Sequence, residues 1–269
     1  MKKRILVANR GEIAIRLIRA IQELDYEAIA VYETPDRNSR HLRIADEAIW
    51  IGDGPRKDYL DVEKIIGTAL RSNVCATHPG YGFLAENPAL ARACENAGLI
   101  FIGPPSKVIE NLGSKVMARR IMADAGIAMV PGTENLPPGE KGLQVAMEFV
   151  ASYGFPIMLK ATSGGGGRGI RRIENENELR EQYPIARAEA KAAFNDDSVY
   201  LEKVVLNPRH VEVQILADRA GNTVHLGTRD CSIQRRNQKL VEIAPAFQIS
   251  EELREEISMT AVKAAKTSG

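Results

Sequence analysis

The constraint that most narrows the fold is the alternation of apolar, strand-like runs with helical periodicity across residues 4–102. Residues 4–8 (RILVA) form a short apolar run, and Asn9, Arg10, Gly11 and Glu12 follow as a turn. From Ile13, apolar residues recur at Leu17, Ala20, Ile21 and Leu24, the spacing of one helix face, and residues 27–32 read as a second strand. The pattern continues with strands at 47–51, 73–77 and 99–102 and helices at 60–70 and 89–97. Strands separated by helices predict an α/β fold with a mostly parallel sheet covered on both faces, its ligands gathering at the carboxyl ends of the strands.

The chain has 269 residues, room for two domains, and 44% hydrophobic content can fill two cores. Its 36 basic and 35 acidic residues nearly cancel, and one Trp with 5% aromatics supplies neither a cationic stripe nor base-stacking platforms, which argues against a nucleic-acid partner. The three cysteines, Cys75, Cys94 and Cys231, have no CxxC spacing. That argues against a disulfide framework or zinc site and for a reducing, cytoplasmic location. The apolar run after Lys2, Lys3 and Arg4 covers only residues 5–8, too short for a signal peptide or a membrane span.

Residues 155–172 (FPIMLKATSGGGGRGIRR) point to phosphate chemistry. A buried strand at 156–161 leads into Thr162, Ser163 and the run Gly164, Gly165, Gly166, Gly167, then Arg168, Gly169 and a return strand from Ile170. Consecutive glycines accept positive φ and turn backbone N–H groups into one concavity suited to a polyphosphate. Lys160 before the run and Arg168 inside it would flank that concavity with fixed positive charge. A flexible linker is the competing reading, but linkers seldom have an apolar strand on each side. The Walker spacing GxxxxGK[ST] is absent from the chain.

HPGYGFLAEN (78–87) contains a formal GxGxxA after a strand, but the acidic ribose partner expected about 20 residues on is missing, since that region reads LIFIG. The residues alone leave His78 and Tyr81 open between a packed turn and a site. A helical stretch from near Lys107 carries Lys115, Arg119 and Arg120, and Lys115 by itself reads as a solvated helix lysine. Beyond Pro131, helices are expected at 142–153 and 178–193 and a strand at 199–205, whose Glu202 and Lys203 are ordinarily surface charges. Residues 209–218 alternate, with His210, Glu212 and Gln214 on one face and Val211, Val213 and Ile215 on the other, predicting a core face and a polar face able to line a site. A strand at 223–227 follows. The run 229–239 (RDCSIQRRNQK) sets four cations against one carboxylate, which favours an anion holder over a solvated loop. The last helix begins at Ser250.

Five segments, NRGEIAIR (9–16), HPGYGFLAEN (78–87), LKATSGGGGRGIR (159–171), NPRHVEVQILAD (207–218) and RDCSIQRRNQKLVEIAP (229–245), resemble the successive signatures of biotin carboxylase. That family is the ATP-grasp component of acetyl-CoA, propionyl-CoA and pyruvate carboxylases. The resemblance implies a pre-ATP-grasp, Rossmann-like domain at 1–113. It implies an ATP-grasp α+β domain at 114–269, with a glycine-rich lid at about 131–204 and an incomplete C-terminal end. The implied activity is that of a ligase: ATP phosphorylates bicarbonate to carboxyphosphate, and the carboxyl group passes to biotin on a carrier protein. The implied cofactors are ATP, Mg²⁺ and biotin, and the implied partners are bicarbonate, a biotin carboxyl carrier protein or domain, a carboxyltransferase, and a second copy paired through the first domain. Fatty acid biosynthesis is one setting for such a complex.

By the same resemblance, Lys115 and Lys160 contact ATP phosphates and base, and residues 164–169 cover them. Glu202 with the backbone of Lys203 to Val205 reads adenine, His210 and Gln234 touch the ribose and nucleotide, Lys239 helps hold bicarbonate, and Tyr81, Gly82 and Glu86 wall the biotin entrance. Asn237 stands where many members have His, so it can contact nucleotide but cannot titrate near neutral pH. Ala85 stands where Ser is common. The family's metal-binding glutamates, asparagine, and bicarbonate-side arginine and general base match nothing up to Gly269, so no metal ligand and no turnover are expected from these residues alone. The second sheet is correspondingly expected to show an uncovered edge. A non-catalytic nucleotide-binding or subunit-pairing homologue is the alternative. A carbamoyl-phosphate-forming ATP-grasp ligase is disfavoured by the joint presence of the 229–239 and 78–87 segments.

Overall fold

A computed structural model describes residues 2–163, 169–235 and 238–269. The chain divides into two compact units, Met1–Gly113 and Ser114–Gly269.

The first unit alternates strictly: β1 (Arg4–Val7), α1 (Gly11–Glu23), β2 (Glu27–Glu33), α2 (Arg40–Ile44), β3 (Glu47–Gly52), α3 (Val62–Arg71), β4 (Ala76–His78), α4 (Pro88–Asn96), β5 (Ile100–Phe101) and α5 (Ser106–Gly113). The five strands lie in the order β3-β2-β1-β4-β5, and each neighbouring pair is parallel. Alternate residues of β1 feed two cores. Ile5 and Val7 pack with Ala14, Ile18 and Ile21 of α1, while Leu6 and Ala8 pack with Ile65, Leu90 and Phe101 across the sheet. Each fully buried large aliphatic contributes about 1.5–3 kcal/mol against leaving it in water. β4 and β5 start later than the expected runs, because Asn73 takes φ +52 and Val74 closes α3 through its N–H to Ala69, and the Leu99 N–H likewise closes α4 on the Cys94 carbonyl. The strand order reverses at β1, so the β1 and β4 carboxyl ends flank the switch point where such sheets bind ligands.

The second unit starts with α6 (Lys115–Asp124), so the predicted helix from Lys107 is two helices, the second capped by Ser114. Then come α7 (Glu140–Tyr153), β6 (Ile157–Ala161), β7 (Ile170–Ile173), α8 (Glu176–Phe194) and β8 (Val199–Lys203). The antiparallel sheet β7-β6-β8 buries Ile157, Leu159 and Ala161 against Phe149 and Val150 of α7 and Leu179 and Tyr183 of α8. The chain continues as β9 (Val211–Ala217), β10 (Thr223–Asp230), β11 (Gln234–Arg235), β12 (Gln238–Lys239) and α9 (Glu251–Ser268). β9 and β10 pair antiparallel with a bulge between His225 and Thr228, and α9, with Val262 buried, packs on both strands.

One expectation changes here. Val211, Val213 and Ile215 do not form a fully buried face; they are half-covered, because a single helix cannot seal a two-stranded sheet. The polar face also ends in exposed Leu216, and the neighbouring strand exposes Val224 and Leu226. In the cationic run 229–239, Arg229 and Asp230 complete β10, and Gln234–Arg235 pairs antiparallel with Gln238–Lys239 as β11 and β12.

Candidate functional site

In β6 the side chains opposite the buried ones are Met158 and Lys160. β8 pairs with β6 in a register that sets Met158 against Glu202 and Lys160 against Tyr200, placing Lys160 and Glu202 diagonally on one face. Lys160 Nζ forms an ion pair with one Glu202 oxygen, and Arg119 Nη1 donates to the other at 3.2 Å. All three side chains are about four-fifths buried, so screening is weak. Lys115 joins the group from α6. Its ammonium pKa is lowered, first by burial and then by the neighbouring Lys160 charge, with Glu202 opposing. The Tyr200 hydroxyl is pushed up to about 12, chiefly by burial and next by Glu202. Among the described residues, three cations thus gather around one carboxylate, which suits a half-buried site to a polyanion.

The glycine-rich segment departs from the end of β6. Ala161 N–H donates to the Gly169 carbonyl at 2.8 Å, and a Cβ on Gly169, whose φ is +72, would sit 2.9 Å from the Ala161 Cβ. Thr162 Oγ1 donates to Asn135 Oδ1 at 2.6 Å, and Ser163 donates to Asp196 at 2.6 Å. Gly164, Gly165, Gly166, Gly167 and Arg168 lie outside the described residues, as does Asn237. Beyond Glu202, the Lys203 N–H donates to Pro131 O at 2.9 Å and its ammonium to Gly154 O at 3.1 Å, while Val205 is exposed.

A second cluster spans β9, β10 and the β11–β12 hairpin. Gln234 Nε2 lies 2.6 Å from His210 Nδ1 and donates to Cys231 O at 2.9 Å. Lys239 and Arg229 both bond the Glu212 carboxylate, and Glu242 lies 3.5 Å from Arg229 and 3.7 Å from Lys239. Glu212 holds the Lys239 pKa above its ordinary value. Glu212, Cys231 and Glu242 are close enough to offer three metal ligands. Both carboxylates are already committed to Arg229 and Lys239, so the group does not present the free oxygens that a hard divalent cation needs.

In the first unit, Tyr81 is exposed and donates to Glu12, Gly82 has φ +66, and Glu86 is exposed. The buried Asn9 amide donates to Pro79 O at 2.7 Å and Tyr81 O at 2.8 Å, which shapes this loop. The structure adds roles that sequence reasoning passed over: those of Asn9, Arg119, and the pair Arg209 and Asp230. Of these, Arg119 carried a legible signal, its i+4 spacing from Lys115.

Residues 1–109 match the family described as biotin carboxylase, N-terminal domain, and residues 114–269 match carbamoyl-phosphate synthase L chain, ATP binding domain. A parallel-sheet unit followed by an ATP-binding unit of this type defines the ATP-grasp class. The chain belongs to the biotin carboxylase family. It is 49% identical over 269 residues to the 2-oxoglutarate carboxylase small subunit of Hydrogenobacter thermophilus, covering 100% of this chain and 56% of that one. It is 50% identical over 266 residues to Bacillus subtilis pyruvate carboxylase, covering 98% of this chain and 23% of that protein. Among solved structures, the biotin carboxylase domain dimer of the H. thermophilus 2-oxoglutarate carboxylase, with MgADP, ADP and bicarbonate, superposes with a TM-score of 0.90 at 50% identity, over 100% of this chain and 59% of that one. The chain therefore spans little more than half the length of the biotin carboxylase subunits it resembles.

Proposed function

We propose that the chain serves the first half-reaction of a biotin-dependent carboxylase: ATP-dependent activation of bicarbonate, then carboxylation of carrier-bound biotin. The observation that carries this reading is the pairing of Lys160 and Arg119 with Glu202 at the base of the glycine-rich segment, with the Lys115 ammonium near enough to feel the Lys160 and Glu202 charges. In this reading Lys115 and Lys160 take the phosphates, residues 164–169 cover them, and Glu202 with the backbone of residues 203–205 takes the adenine. His210, Gln234 and Asn237 take the rest of the nucleoside. Lys239, held beside Glu212, exchanges that carboxylate for bicarbonate, whose oxygen attacks the γ-phosphorus as ADP leaves. The carbon–oxygen bond of carboxyphosphate then breaks as its carboxyl group passes to biotin N1′, and the released phosphate takes up the N1′ proton. A fixed cation beside the developing charge lowers that barrier.

Tyr81, Gly82 and Glu86 form the biotin side, and residues 1–113 and 114–269 act as the pre-ATP-grasp and ATP-grasp domains, with the lid at 131–204. A carrier, a carboxyltransferase and a second copy complete a cytoplasmic complex. The carboxylates of the two clusters, Glu202, Glu212 and Glu242, face Lys or Arg, so magnesium is assigned no ligand among them and no step is routed through it.

Titration calorimetry of the chain with ATP, GTP and inorganic pyrophosphate tests the proposal. Saturable binding that prefers ATP is expected. Absence of binding, or equal affinity for pyrophosphate, would remove the adenine site and with it the reading.

A further inference from the structure

Arg119 follows Lys115 by one helical turn on α6, so both side chains leave the helix on the same face. α6 has no fully buried residue, and its apolar Val116, Ala118, Ile121 and Met122 are only half-covered, so polar contacts share in fixing its placement. Arg119 makes two of them. Nη2 donates to the Val130 carbonyl at 2.9 Å, and Nη1 to Glu202 Oε1 at 3.2 Å. Gly132, which bridges to Glu202 in antiparallel fashion, leaves room for the guanidinium: a Cβ there would lie 2.7 Å from Nη2. One fork of donors therefore ties α6, the 130–132 segment and β8 together, and the planar guanidinium can serve two acceptors where an ammonium would serve them poorly.

The electrostatic consequence concerns Lys160. Glu202 has two oxygens, one on Lys160 and one on Arg119. Without Arg119 both oxygens turn to the lysines, and Lys160, which already pairs with one of them, is held more tightly against an incoming phosphate. We infer that Arg119 is a positioning residue of the nucleotide site: it holds one oxygen of Glu202 so that Lys160 stays available to phosphate, and it fixes the helix that carries Lys115 against the strand that carries Glu202. This inference rests on the nucleotide reading above.

The test is a double-mutant cycle read by ATP titration of the 269-residue chain, using Arg119→Met, Arg119→Lys, Glu202→Gln and Arg119→Met/Glu202→Gln. Arg119→Met is expected to weaken ATP binding by about tenfold or more, the scale of a lost charge-assisted hydrogen bond. Arg119→Lys, which keeps the charge and loses the fork, recovers part of that loss. In the Glu202→Gln background the same Arg119→Met change costs less than about threefold, because the carboxylate it restrains is gone. A merely structural arginine would cost the same in both backgrounds, and that additivity would overturn the inference while leaving the nucleotide site standing. An unchanged dissociation constant for Arg119→Met would do the same. No ATP binding by the unsubstituted chain would instead bring down the nucleotide reading and the inference together. If Arg119→Met does not fold, Arg119→Lys against Glu202→Gln runs the same cycle.

Discussion

Asn9 and Gly80 are in direct contact across the carboxyl ends of β1 and β4: a Cβ on Gly80 would lie 2.8 Å from Asn9 Nδ2, and Gly80 has φ +67. Asn9 uses that amide to hold the carbonyls on either side, at Pro79 and Tyr81. Gly80→Ala combines a left-handed backbone with a clash against a buried side chain, and is expected to destabilise the chain by about 1–3 kcal/mol. Urea unfolding measures it. An unchanged midpoint would show that Asn9 yields and that its grip on the loop is weak.

Lys160→Ala removes an ammonium that sits two residues before the Thr162 and Ser163 entry to the glycine-rich segment, and leaves Glu202 facing Arg119. ATP affinity is expected to fall at least about tenfold, as for loss of a charged hydrogen bond. Equal affinity for both proteins would place the phosphates elsewhere.

Asp230 is buried and bonded by Arg209 and by the Ser232 N–H at 2.9 Å; the Arg209 contact first, then Ser232, holds its carboxyl down at about 2. A depressed folded-state pKa stabilises above the unfolded value of about 3.9 and loses that stabilisation as pH falls toward 2. Asp230→Asn should therefore be less stable than the parent at pH 6, with the gap narrowing steadily between about pH 4 and pH 2. A gap independent of pH would mean that packing, not charge, sets the effect of the substitution.

His41 is wholly buried, and neither ring nitrogen makes a hydrogen bond of good geometry. Burial lowers its pKa against the opposing pull of the Val31 backbone and Asp36. The folded state then resists a proton that the unfolded chain accepts below about 6.5, so stability is full above that pH and erodes below it toward the folded-state value. Denaturation midpoints followed from about pH 8 to pH 5 should fall for the parent and fall less for His41→Leu. Parallel curves would assign the acid sensitivity to other groups.

Cys231 is buried with its thiol pushed up by burial, whereas Cys75 is partly exposed. Cys231→Ser is expected to leave ATP affinity within about threefold, and a disulfide-exchange reagent should modify Cys75 first in the native chain. A large loss of ATP binding in Cys231→Ser would mark the thiol as functional.

The parallel sheet was legible because β1 and β2 are buried on both faces and α1 carries Ala14, Ile18 and Ile21 on one stripe; both are short-range patterns. β9 misled because alternation reports which residues share a face and not whether anything covers it. Ile215, expected in the core, is only half-covered, while Leu216 on the opposite face is exposed. The run 229–239 was recognised as an anion-type cluster, but its cations Arg229 and Lys239 meet Glu212 from another strand.

By itself the sequence determined the strand–helix alternation of the first unit and the two strands that flank the glycine-rich segment, because periodicity and turn chemistry act over a few residues. Only the tertiary structure decided which charges meet. Arg119 and Glu202 are 83 residues apart and Arg209 and Asp230 are 21 apart, and each pairing follows from strand register and helix placement. The energy of a charge depends on what lies within a few ångströms and how far water is excluded, and no local pattern along the chain records either.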